Sequence, residues 1–289
     1  MLFENRKHLI ALLLPALAIL GLLTAYPIAS VIYHAFGAAG DVGQRYQFVG
    51  LANFRGLFDD FFFLSAIENT FVFTLVASLA QVGIGLCLAL LFHRQFPGRR
   101  FALPIIIYPM TISTLVCSAI WRSWYHYDFG LLNTALAALG LPAQEWLFNP
   151  HLALYAIALV DTWQWTPMAF LIILAGLQSI PKDIGEAALV DGAKGWRSFC
   201  HITLPLIKKQ VMLAFLLRSI DTFKLFDKVY VMTGGGPGNS TETLSMFVYK
   251  YAFQFFDLGM ASASALVMLA ISLAMTLFYA RKAMQGDKP

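Results

Sequence analysis

The sequence predicts an all-α polytopic membrane protein with six transmembrane helices and a structured two-helix loop between the fourth and the fifth. Three observations predict it. Only 12% of the 289 residues are charged and 59% are hydrophobic, whereas a soluble domain carries about 25% charged residues. The mean hydropathy is +0.68, and the apolar residues gather into runs close to the roughly 20 residues that a bilayer-crossing helix needs. The basic residues are sorted between alternate connections of those runs. This composition excludes a water-soluble enzyme and a disordered chain. Six spans also leave no room for a separate catalytic domain of about 100–150 residues.

The first run covers residues 9–36 and is apolar apart from His34. It is too long for a signal-peptide core and no small-residue cleavage site follows it, so an uncleaved span is expected. The other spans are expected at residues 66–92, 101–121, 151–177, 206–232 and 259–280. Alternation with period two is rare, which argues against a β-barrel. The whole of residues 1–289 then forms one transmembrane domain.

Orientation follows from the basic residues. Arg6 and Lys7 precede the first span, and Arg94, Arg99 and Arg100 follow the second. Lys182, Lys194, Arg197, Lys208 and Lys209 follow the fourth, and Arg281, Lys282 and Lys288 follow the sixth. The opposite connections hold only Arg45, Arg55, Arg122 and Lys250. Basic residues favour the cytoplasmic side, so both termini and the loop after span four are expected there. The three cysteines give no disulfide framework or metal set. Cys87 and Cys117 lie in apolar runs as small hydrophobes, and Cys200 lies in a basic segment.

The loop after span four, residues 179–205, is long and patterned. Ser179 or Pro181 starts a short helix, and Asp183 and Glu186 suit its positive end. Gly192 and Gly195 break it. Trp196, Phe199 and Ile202 then form an apolar stripe on a second short helix, which Pro205 ends. An exposed aromatic stripe on the cytoplasmic side fits either a docking surface or a helix lying in the lipid headgroups.

Glu186-Ala187-Ala188, Asp191-Gly192 and Ile202-Thr203-Leu204-Pro205 carry a resemblance to the EAA loop of ABC-importer permeases. In that family the loop is a coupling helix seated in a cleft of a separate ATPase. The resemblance implies that Glu186, Ala187, Ala188, Asp191, Gly192, Trp196, Phe199, Ile202, Leu204 and Pro205 form the coupling surface. The chain has no G-x-x-x-x-G-K-[ST] phosphate loop of its own. No cofactor is therefore expected on this chain, with ATP and Mg²⁺ carried by the partner ATPase.

Thr233 to Thr241 is the most glycine-rich stretch, with Gly234, Gly235, Gly236 and Gly238. No lysine follows the glycines as a phosphate cradle requires, so a tight turn using positive φ angles is expected. With Phe226-Asp227-Lys228 before it and Tyr249 after it, this stretch resembles the carbohydrate (maltose-type) branch of the same permeases, in a compact six-span form. The resemblance implies an inner-membrane location and an importer working by alternating access. Its partners would be a second homologous permease, two ATPase subunits and an extracytoplasmic solute-binding protein, with no nucleic acid.

Ionisable residues at membrane depth are costly and mark function by default. Span five carries Arg218, Asp221, Lys224, Asp227 and Lys228. A 100° helical step puts Arg218, Asp221, Thr222, Leu225 and Lys228 on one face, with Arg218–Asp221 and Lys224–Asp227 as possible i,i+3 pairs. Asp227 and Lys228 alternatively snorkel to the headgroups. Span four places Asp161, Gln164 and Trp165 on one face, beside a Pro167 that can kink the helix. An aromatic face and amide and carboxylate groups suit a sugar, although Trp163 and Trp165 also fit an interfacial belt. Gapless alignment with the maltose-type permeases implies a solute site at Met110, Asp161, Gln164, Trp165, Arg218, Thr222 and Leu225. Arg218 departs from the maltose pattern. A guanidinium there binds an acidic sugar derivative if it is left unneutralised, and a neutral solute is expected if Asp161 or Asp221 cancels it.

Two rivals are open at this point. One is an ion-coupled secondary transporter acting without an ATPase, with Asp161 and Asp221 as a proton relay. Unbroken spans argue against it, because such transporters use broken helices at their sites. The other is a membrane enzyme, which the scattered histidines and the lack of H-E-x-x-H and G-x-S-x-G motifs argue against.

Overall fold

The structure is a computed structural model that describes residues 6–38, 47–181, 183–184, 188 and 195–285. Its helices are α1 (Arg6–Ala35), α2 (Ala52–Asp59), α3 (Phe61–His93), α4 (Arg99–Ile107), α5 (Thr114–Trp124), α6 (Leu131–Ala138) and α7 (Ala153–Gln178). Further along the chain come α8 (Trp196–Leu206), α9 (Lys208–Phe223), α10 (Asp227–Met232), α11 (Leu244–Tyr249) and α12 (Leu258–Gln285). A two-residue antiparallel pair, β1 (Gly37–Ala38) with β2 (Gln47–Phe48), follows α1 in register Gly37 to Phe48.

Four helices are long and apolar enough to cross a membrane, and six spans result if each bent pair counts as one. The first, second, fourth and sixth runs emerge as the unbroken helices α1, α3, α7 and α12. The third and fifth do not. The expected helix at 101–121 splits into α4 and α5, with a 3₁₀ turn at Tyr108–Thr111 and a 97° bend. The expected helix at 206–232 splits into α9 and α10, with Lys224 to Phe226 between them. Ahead of α9, the chain turns by 67° from α8. The broken-helix argument against a secondary transporter therefore does not stand.

Each break exposes carbonyls that a bilayer cannot satisfy, and each is mended from another element. Gln164 Nε2 on α7 donates to Ile112 O at 2.8 Å. Thr243 Oγ1 donates to Leu225 O at 2.9 Å. Pro167, a residue able to kink a helix, sits inside a continuous α7.

The chain packs as two compact units. The first takes residues 1–64 and 247–270. Within it Asn53 Nδ2 donates to Ala35 O and Gly37 O, both at 2.9 Å, and so satisfies carbonyls at the end of α1. Tyr251 Oη donates to Asp60 Oδ2 at 2.8 Å and stacks on Phe247. Leu12, Leu17, Leu22 and Tyr26 of α1 are largely exposed, a surface suited to acyl chains rather than water.

The second unit takes residues 65–246 and 271–289. Phe92, Ala169, Phe170, Ile173, Leu177, Ile207 and Ala214 form its core. Lipid is as apolar as these side chains, so close packing and interhelical hydrogen bonds hold such helices together. Gly85 on α3 allows a close approach of backbones: a Cβ there would stand 2.9 Å from Phe170 N. At Gly176 on α7 a Cβ would stand 2.6 Å from Gln210 Cγ.

Candidate functional site

In the second unit, Arg218 and Lys228 converge on Asp161. Its Oδ1 accepts from Lys228 Nζ at 2.7 Å, and its Oδ2 accepts from Gln81 Nε2 at 2.7 Å. Arg218 Nη2 stands 3.7 Å from the same Oδ2. Gln81 turns its other end to the arginine, and Oε1 accepts from Arg218 Nε at 2.6 Å. Arg218 Nη1 donates to Asp221 Oδ2 at 3.1 Å and lies 3.8 Å from Met168 Sδ. The Trp165 ring covers the guanidinium, with its centroid 5.0 Å from Cζ.

Two cations and two carboxylates make this network neutral overall. Asp161, Arg218 and Lys228 are buried, whereas the Asp221 side chain is 54% exposed and forms the open edge. A buried charge stripped of its partner costs several kcal/mol, so the mutual pairing explains how three ions persist at this depth. Gln81 fits between them because an amide offers an acceptor to the cation and a donor to the anion.

The sequence singled out Asp161, Trp165 and Arg218, and the structure brings them together. Gln164 faces the break in span three instead, where its Nε2 is engaged and its buried Oε1 has no partner. Thr222 is buried beside Ser78, with 3.1 Å between the hydroxyls, and donates to Arg218 O. Leu225 is buried next to the break in span five. Met110 is half-buried in the 3₁₀ turn, against which α7 packs. The Arg218–Asp221 pair forms as its spacing suggests, but among the described residues no ion pair joins Lys224 to Asp227, and both are exposed. Lys228 does not snorkel, because Asp161 holds it inside.

Sequence reasoning missed Gln81 and the partnership of Lys228 with Asp161. An amide in the apolar run 66–92 was the available signal for the first. No local signal existed for the second, since 67 residues separate the partners.

In the segment between α7 and α8, Glu186, Ala187, Asp191 and Gly192 lie outside the described residues. Ala188 is helical and buried. The aromatic stripe is present on α8: Trp196 is 76% exposed and its ring lies 5.1 Å from that of Phe199. Phe199, Ile202 and Leu204 are half-buried and Pro205 is exposed. Pro205 does not end the helix, which runs on to Leu206 and contains a π turn at Phe199–Thr203. A proline lacks the N–H that would reach back to His201 O, and the wider turn absorbs that loss. The glycine turn is as expected, with positive φ at Gly234, Gly235, Gly238 and Asn239.

The family model described as binding-protein-dependent transport system inner membrane component matches residues 81–282. The trehalose/maltose transport system permease protein MalF of Thermococcus litoralis is 39% identical over 194 residues, covering 67% of this chain and 66% of the relative. The chain thus aligns with just under two thirds of that relative's length. The sulfoquinovosyl glycerol transport system permease protein SmoG of Agrobacterium fabrum is 39% identical over 242 residues, covering 82% of this chain and 77% of the relative. Among solved structures, a bacterial ABC transporter involved in the import of the acidic polysaccharide alginate superposes with a TM-score of 0.85. It shares 22% identity over 97% of this chain and 96% of its own, a likeness of fold.

Proposed function

Because this chain belongs to the family of binding-protein-dependent transport system inner membrane components, a group of multi-pass membrane proteins, we propose that it forms half of the translocation pathway of an ATP-driven importer for a sugar or sugar derivative. The relatives named above, permeases for trehalose/maltose and for sulfoquinovosyl glycerol, support the solute class. The observation in this chain that carries it is the network of Asp161, Gln81 and Arg218 under the Trp165 ring, with Asp221 at its open edge. A flat aromatic face beside paired donors and acceptors is what a pyranose requires.

Alternating access would expose this network outward when the ATPases close on ATP, and inward after hydrolysis. The chain would pair with a second homologous permease, two ATPase subunits and an extracytoplasmic solute-binding protein. ATP and Mg²⁺ would be held by the ATPases. The segment from Glu186 to Pro205 would seat in the ATPase cleft, with Trp196 as its exposed aromatic knob. Both termini would be cytoplasmic, following the placement of basic residues.

Arg218 bears on which solutes the central network itself accepts. Asp221 already occupies one edge of the guanidinium, so an acidic solute must displace that carboxylate, whereas a neutral sugar need not. The test is coexpression with the ATPase and the second permease, followed by purification on a tag carried by this chain. The ATPase is expected to copurify, and Gly192→Trp is expected to uncouple its hydrolysis from transport. Failure of any ATPase to copurify, or full coupled transport by Gly192→Trp, would overturn the assignment of the loop.

A further inference from the structure

A second cavity, of about 500 Å³, opens within the second unit at the opposite end of span five from the coupling segment. Arg122, Tyr125, His126, Phe148, Tyr230 and Pro237 are among its walls, and the glycine turn after α10 closes one side. Its volume falls in the range of about 300–1,000 Å³ typical of small-molecule sites. We infer that it is an outer subsite for a glycoside bearing a carboxylate or sulfonate, with Arg122 as the group that takes the anion. The inference rests on the reading of the chain as half of a sugar pathway.

The charge balance carries it. Arg218 is cancelled by Asp161 and Asp221, so the arginine that the sequence offered as the anion receptor is already spent. Arg122 is not. One arm, Nη1, donates to Val231 O at 3.0 Å, and among the described residues no carboxylate pairs with the guanidinium. None of the residues lining the cavity is acidic. Basic residues are also scarce in the connections on this side, so this arginine stands against the general sorting of charge. A guanidinium with free N–H groups beside aromatic walls suits an anionic sugar: the fork takes the charged oxygens and the rings take the apolar faces.

The placement links the subsite to the central network. Helix α10 is the wall between them. Lys228 and Val229 are buried, with Lys228 held on Asp161, while Tyr230, Val231 and Met232 line the cavity. Arg122 anchors the same short helix through Val231 O. A solute drawn onto Arg122 would therefore load the helix whose other face holds the buried ion pair.

The test uses the assembled importer in lipid nanodiscs and two probes, methyl β-D-glucuronide and methyl β-D-glucoside, read by saturation-transfer NMR at low salt. The glucuronide is expected to bind more tightly. Arg122→Gln should weaken it by about tenfold or more, the scale of a lost charge-assisted contact, and leave the glucoside within about twofold. Arg122→Lys should retain part of the preference. Phe148→Ala, which trims an exposed wall residue, should weaken both probes. A wild-type complex that does not bind the glucuronide would overturn the inference. So would equal losses for both probes in Arg122→Gln, the pattern of an arginine that only braces Val231 or meets a carboxylate of the binding protein. The transport reading fails separately: it falls if the complex shows no ATP-driven sugar uptake, whatever this cavity binds.

Discussion

Lys228 and Asp161 form a buried ion pair, with Nζ 2.7 Å from Oδ1 and neither side chain more than 3% exposed. The pair ties the short helix α10, beyond the break in span five, to the unbroken helix α7. Removing one partner leaves an uncompensated charge at depth, which costs about 3–5 kcal/mol. Asp161→Asn should therefore sharply lower the thermal unfolding midpoint in detergent. Adding Lys228→Met to it should recover part of the loss, because the two changes act on one network. Strict additivity of the two would show that the pair does not couple them.

Gln81 touches both Asp161 and Arg218, so Gln81→Leu should cost more than a single hydrogen bond. Each of two buried charged groups loses a partner, at about 1–3 kcal/mol apiece. The same melting measurement checks it, and a midpoint unchanged from wild type would remove Gln81 from the network.

Helix contacts at the two glycines should respond differently. A Cβ at Gly85 meets the backbone of Phe170, which cannot yield without moving α7. A Cβ at Gly176 meets Gln210 Cγ at 2.6 Å and Cβ at 3.0 Å, of which the first can rotate away about χ1. Gly85→Ala is expected to cost about 1–3 kcal/mol by overpacking, and Gly176→Ala less. The reverse order in thermal melts would contradict the packing described for α3 and α7.

Trp196 is a large exposed aromatic on the segment proposed to dock the ATPase. Trp196→Ala should leave the melting temperature of the chain unchanged, since exposed substitutions shift stability by about 0.5 kcal/mol or less. It should weaken capture of the ATPase by about tenfold or more if the indole is an interface anchor. Unaltered capture would point to a headgroup-facing stripe.

The spans that read correctly, α1, α3, α7 and α12, are those whose backbone closes within one helix. The breaks at Ile112 and Leu225 were not legible, because the groups that permit them, Gln164 and Thr243, act from 52 and 18 residues away. The same limit applies to the site. Asp161 with Trp165, and Arg218 with Asp221, share helix faces, and 3.6-residue periodicity exposes them. Thr222 and Leu225 share a face too, yet they are buried beside the network rather than opening onto it. How far Arg218 is neutralised by partners needs the distances to Asp161 and Asp221 together, and only the first of these is non-local. Arg122 drew notice in the sequence only as a charge on the sparsely basic side. Its place in a cavity free of acidic residues depends on three segments meeting.

The most direct measurement is sugar uptake into proteoliposomes holding this chain with its second permease, ATPase and binding protein. The account predicts uptake that requires ATP, that persists when ionophores collapse the ion gradients, and that is lost when the ATPase is omitted. Uptake by this chain alone, driven by an ion gradient without ATP, would contradict it and make the carboxylates of Asp161 and Asp221 an ion relay instead.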